Sequence, residues 1–155
     1  MTTAEKIGFK QSLKQAGLAV IEQRMAVAQT QMDEAQQAAN GEEKSSAGDK
    51  YETARAMGHL QKDMHARQLA EQARERAALQ TIPVDTVMSA AGPGAYVQCE
   101  KAAFFIAAGL GKQVIDGKTI FFLSPQAPLA ALLQNKKPSD HFVFNQTRTI
   151  IVDVF

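Results

Sequence analysis

Along the first forty positions apolar residues recur at Leu18, Ile21, Met25, Ala28, Met32, Ala35 and Ala39, a spacing of 3,4,3,4,3,4. That period keeps one stripe of a helix facing a partner helix. Leu13, Val20 and Val27 form another row at steps of seven, roughly 100° round the helix from the nearer edge of the stripe. This row is placed to bury the base of the helix on a second side. The main stripe shrinks from Leu and Ile to Ala toward residue 39, so a partner helix can come close there. Asn40-Gly41 is a break signal, and Ser45-Ser46-Ala47-Gly48-Asp49 continues the loop. A second helix is predicted from Asp49 or Lys50 to Leu79. Its packing face is Ala54, Met57, Leu60 and Met64, weakening to Leu69, Ala70, Ala73 and Ala77. Two long helices around a short break read as an antiparallel hairpin.

From residue 82 the pattern changes. Tyr96–Cys99, Ala103–Ile106, Thr119–Leu123, His141–Phe144 and Thr149–Phe155 are short runs rich in aromatic and β-branched residues. Between them lie turn signals at Gly92-Pro93-Gly94, Asp116-Gly117-Lys118 and Pro138-Ser139-Asp140. One short helix is predicted from Pro128 to Gln134, with Pro favoured in the first turn. The fold class is therefore α+β: an N-terminal antiparallel helical hairpin (a coiled coil) over residues 1–80 with its tip near 40–49, then a small antiparallel β-domain with one short helix over 81–155.

Composition marks the same boundary. All five prolines and seven of the eight phenylalanines lie beyond residue 80. The net charge is only +1, which argues against direct, charge-driven binding to DNA or to an anionic membrane. Charge is uneven locally, however: Asp33 to Glu52 holds six acids and two lysines. The single cysteine, Cys99, excludes an internal disulfide framework and reads as a small core residue. The first residues lack the long apolar core of a secretory signal, and the longest apolar run, Ala102 to Leu110, is about half a membrane span. The expectation is a cytoplasmic protein that does not engage membranes. His59 and His65 are six apart, the wrong step for one helical face, so they do not pair as metal ligands.

The segment from Leu123 to Asp140 carries a resemblance. Its Pro128-Leu129-Ala130, Leu133, Lys136 and Asp140 are similar to the C-terminal domain of the bacterial Gre transcript-cleavage factors. In that family a Ser-Pro-Leu-Ala start and an Ala/Leu-rich helix lead into Gly-Lys-Lys and then Gly-Asp before a strand. Asn135 and Ser139 stand where the family has glycines, and both residue types favour turns. Gly48 to Arg55 resembles the family's start of the second hairpin helix, so the resemblance spans the chain.

It implies a helical hairpin followed by an FKBP-like β-domain that docks on RNA polymerase at the rim of its secondary channel. Ser124, Gln126 and Pro128 would lie in the docking loop. In that family, acids at the hairpin tip help hold a second Mg²⁺ in the polymerase active site and orient water, so that the polymerase cleaves backtracked RNA. The chain would have no catalytic group or cofactor of its own. Aligned on Tyr51, the family's two metal-directed acids fall on Lys44 and Ala47. Glu42, Glu43 and Asp49 are the acids close enough to serve instead, since carboxylates suit a hard divalent cation. They could equally solvate a loop and, for Asp49, cap a helix.

Three other readings stay open. The first is a secondary-channel regulator that docks without supporting cleavage. The second is a prolyl isomerase or chaperone, which the absence of Trp and the lone Tyr96 of the β-domain disfavour. The third is an oligomerising coiled coil. A hairpin closed on itself predicts a monomer.

Overall fold

The computed structural model describes residues 1–43 and 48–155. The centre of the expected tip, residues 44–47, and the side chains of residues 42, 43 and 48–51 lie outside the described residues. The order is α1 (Thr3–Glu43), α2 (Gly48–Thr81), β1 (Tyr96–Cys99), β2 (Ala103–Ile106), β3 (Gly111–Ile115), β4 (Lys118–Leu123), α3 (Pro128–Leu133), β5 (His141–Phe144) and β6 (Thr147–Val154). The chain is α+β, as its pattern of periods predicts.

A reciprocal capping box starts α1. The Glu5 amide donates to Thr2 Oγ1 at 3.1 Å, and the Thr2 amide donates to Glu5 Oε2 at 3.3 Å. The helix does not stop at Asn40-Gly41 but runs on to Glu43. One glycine costs a helix about 1 kcal/mol relative to alanine, and Ala39 is buried one turn before the helix end, where packing offsets such a cost.

Contacts divide the chain into two units: Val20–Arg76, and Met1–Ala19 together with Ala77–Phe155. In Val20–Arg76 the two helices run antiparallel. Lys62 Nζ donates to Gln36 Oε1 at 2.6 Å, and a Cβ built on Gly58 would lie 3.0 Å from that of Ala39. The expected stripe of α1 is the one that packs: Ile21, Ala28, Ala35 and Ala39 are buried, and Met25 and Met32 are half-buried. Its shrinkage to alanine allows the close approach at Gly58.

On α2 only part of the expected face packs: Ala54, Leu69 and Ala73 are half-buried, whereas Ala70 and Ala77 are exposed. Met57, Leu60 and Met64 are 52%, 63% and 50% exposed. Gly58, Lys62, His65, Leu69, Gln72 and Arg76 are buried or half-buried at 4,3,4,3,4 spacing, flanked by half-buried Ala54, Ala66, Ala73 and Glu75, so the seam mixes polar side chains with small ones. At 100° per residue the Met57/Leu60/Met64 stripe lies roughly 140° round the helix from that seam. Close approach to the alanines of α1 selects the glycine-bearing face of α2 over its most apolar one. Gln72 Oε1 and Glu75 Oε2 are buried in this unit with no hydrogen-bond partner among the described residues.

In the other unit six strands form one sheet in the order β3-β4-β2-β1-β6-β5. All pairs are antiparallel except β2 with β4, which are parallel. Sequence reading missed β3, which lets the chain leave β2 and return alongside it as β4. The β3–β4 turn is Asp116-Gly117, with φ of 52° and 77°, the two-residue turn whose twist suits a hairpin.

One face of the sheet carries Val97, Cys99, Phe104, Ile106, Phe142, Ile151 and Val154, packed with Ala130 and Leu133 of α3. The other meets the base of α1. The Phe9 ring stands edge-on to Tyr96 with centroids 5.0 Å apart, and lies 6.1 Å from Phe155. A Cβ on Gly17 would touch Leu79, Phe122 and Leu110.

Candidate functional site

The loop from β4 into α3 gathers all three expected docking residues. Ser124 Oγ donates to Gln126 Oε1 at 2.8 Å and accepts from the Gln126 amide at 3.2 Å. The Ala127 amide donates to the Ser124 carbonyl at 3.0 Å. Pro128 then opens α3, its fixed φ suiting a first turn where no amide partner is needed. Gln126 and Pro128 are exposed and Ser124 is half-buried, so the loop is a small tied turn with accessible polar and ring surfaces.

Beyond α3 the backbone is bent twice. Asn135 has φ of 65° and Ser139 has φ of 77°, both left-handed conformations that side-chain-bearing residues enter at a cost. Each bend is fixed by hydrogen bonds. The Asn135 amide donates to the Ala91 carbonyl at 2.9 Å, and the Ala91 amide donates to the Lys136 carbonyl at 2.8 Å. The Ser139 amide donates to the Ile151 carbonyl, and the Lys137 amide donates to Asp140 Oδ2, both at 2.8 Å. Asp140 therefore closes a turn, and Lys137 is exposed beside it. A groove of about 390 Å³ runs along this bend, lined by residues that include Val87, Met88, Ser89, Gln134 and Asn135.

The tip acids are placed by their helices alone. Glu42 and Glu43 are the last residues of α1, and Asp49 is the second residue of α2 rather than its predecessor. Their side chains, and the aligned Lys44 and Ala47, lie outside the described residues. Among the described residues no three His, Cys, Asp or Glu side chains gather into a group that could hold a metal ion.

Two lysines of α1 escaped sequence reading. Lys10 is completely buried, and its Nζ donates to the carbonyls of Thr86 at 2.7 Å and Gly94 at 3.0 Å. Burial lowers its pKa, partly opposed by the charge of Asp85. One turn on, Lys14 Nζ donates to the carbonyls of Gln80 at 2.9 Å and Ile82 at 2.8 Å, satisfying carbonyls that the end of α2 leaves open. The i, i+4 spacing was the available signal, but lysines at that spacing are ordinarily solvated. Cys99 is buried, and loss of solvation pushes its thiol up to about 11. It is inert as a nucleophile near neutral pH. His59 is exposed, and His65 Nδ1 lies 3.1 Å from Gln68 Oε1.

The chain matches no family model, no curated protein and no solved structure.

Proposed function

We propose that this chain is a Gre-like transcription factor. It binds bacterial RNA polymerase through the loop of Ser124, Gln126 and Pro128, inserts its helical hairpin in the secondary channel and stimulates cleavage of backtracked transcripts. The observation that supports this best is the backbone at Asn135 and Ser139. The family pattern has glycine at both positions, and here both adopt the left-handed conformation that glycine favours. A left-handed backbone at both positions is what glycines there would suit, so these two departures from the pattern do not count against the resemblance. The order of hairpin, sheet and short helix adds to this. On this reading the protein acts in the cytoplasm, makes no sequence-specific contact with nucleic acid and lends carboxylates from Glu42, Glu43 or Asp49 to the polymerase's own Mg²⁺.

A second reading keeps the docking and drops the chemistry. It is favoured by Lys44 and Ala47 at the two positions where the pattern has acids. Purified bacterial polymerase stalled in a backtracked complex separates the two. Faster shortening of the RNA, lost when Glu42, Glu43 and Asp49 become Ala, supports cleavage. Binding without shortening supports the regulator, and no binding to the polymerase refutes both.

A further inference from the structure

Among the described residues the sheet ends on β5, which pairs with β6 alone. The β5–β6 hairpin is closed by Asn145 and Gln146, with φ of 51° and 65°, a two-residue turn that makes Phe144 and Thr147 a hydrogen-bonded pair. Pairing alternates along an antiparallel ladder, so Phe142 and Thr149 also exchange bonds. The Ile151 amide donates to the Asp140 carbonyl at 2.9 Å, in the same phase. The backbone N–H and C=O of His141 and Val143 therefore point away from β6, to the open side.

Edges of this kind are normally guarded by a lysine, a proline or a bulge. The opposite edge, β3, carries the exposed Lys112. On β5 there is no such guard: its sequence is His-Phe-Val-Phe. Val143 is 55% exposed and Phe144 37%. On β6, Ile150 and Val152 continue the exposed apolar surface. Ile150 lies opposite His141, so it shares the face of His141 and Val143.

We infer that β5 is a self-association site, on which the β5 strand of a second copy adds antiparallel. A two-fold axis at Phe142 sets His141 of each copy opposite Val143 of the other. The outward N–H and C=O groups then meet in four hydrogen bonds. Because this axis is perpendicular to the sheet, each face is kept: the two Phe142 residues are neighbours on the core side, and on the other each Val143 lies between Arg148 of its own β6 and His141 of the other copy. No fixed charge lies on β5, so none opposes its image across the axis. A second copy is the fitting occupant because this register satisfies identical strands symmetrically. Four residues a side make a small interface, so the dimer is weak and depends on concentration.

Sedimentation equilibrium on the intact protein tests this. Between about 10 µM and about 1 mM the average mass is expected to rise from that of one chain toward twice that value. Val143→Pro removes an amide hydrogen that the β5–β6 ladder does not use, and Val143→Lys restores a guard. Each is expected to keep the protein monomeric over the same range with an unchanged circular dichroism spectrum. Should the proline variant unfold, the lysine variant decides alone. A wild-type protein that stays monomeric throughout overturns the inference. So does a dimer that Val143→Lys leaves intact, because its interface then lies elsewhere.

Discussion

Lys10→Met tests whether the buried lysine is a structural clasp. Methionine preserves an unbranched apolar stem but offers nothing to the carbonyls of Thr86 and Gly94, now bonded at 2.7 and 3.0 Å. Hydrogen bonds to a charged donor contribute about 1.5–3 kcal/mol each, and an orphaned buried carbonyl costs about 1–3 kcal/mol. Relief from burying the ammonium group works in the opposite direction. The balance is a loss of about 2–4 kcal/mol, or roughly 4–16 °C in Tm for a chain of this size. Urea unfolding followed by circular dichroism measures it.

The pH dependence sharpens the test. Burial lowers the pKa of Lys10 below its ordinary 10.5. Between the lowered value and 10.5 the unfolded chain therefore holds more of this proton than the folded one, and stability rises with pH. The gap between wild type and Lys10→Met should widen as pH climbs through that window and shrink as it falls back through the folded pKa. A variant as stable as wild type, or a gap that narrows with rising pH, would refute the reasoning.

Other expectations follow from the same geometry. Gly94 has φ of +88°, and a Cβ there would collide with the Pro83 carbonyl oxygen; Gly94→Ala should cost about 3 kcal/mol or more in urea unfolding. Ser139→Gly should raise stability by about 0.5–1 kcal/mol, because relief of the left-handed strain exceeds the entropy glycine adds to the unfolded chain; a loss of stability would contradict the bend. Replacing Met57, Leu60 and Met64 together by Gln should move stability by less than about 1 kcal/mol, since all three are exposed, whereas a large loss would mean that they form the seam. Cys99, with its thiol raised to about 11, should resist iodoacetamide at pH 8 in the folded protein and react in urea.

The two helices show why part of the fold was legible and part was not. On α1 the residues that pack are also the apolar ones, so a count of hydrophobic spacing finds Ile21, Ala28, Ala35 and Ala39. On α2 the packing positions include Gly58, Lys62, His65, Leu69, Gln72 and Arg76, and their 4,3,4,3,4 spacing is hidden because four of these six are polar; only Ala54, Leu69 and Ala73 of the apolar pattern join them. What chooses that face is room for backbone approach at Gly58, a property of the pair of helices that one strand of letters does not display. Strand β3 was missed for a related reason. It is a five-residue edge, Gly-Lys-Gln-Val-Ile, with no fully buried residue and no aromatic, formed because Asp116-Gly117 folds it onto β4. That Ser124, Gln126 and Pro128 share one turn was legible because they are close in sequence. The Lys10 clasp joins residues 76 and 84 positions apart, and local pattern carries no trace of that.

The sequence interval between Ala19 and Ala77 has a consequence for how the molecule assembles. The sheet-bearing unit is discontinuous in the chain, and the 57 residues of Val20–Arg76 are interposed within it. Joining the ends of a flexible loop of that length would cost about 4 kcal/mol in chain entropy. A hairpin zips through contacts between near neighbours in sequence, each closing only a little more chain than the last. Once zipped, it holds Gly17 within reach of Leu79, whose side chain lies against it in the finished fold. Formed early, such a hairpin would act as a splint, lowering the chain-entropy cost of joining the first nineteen residues to the rest of their unit.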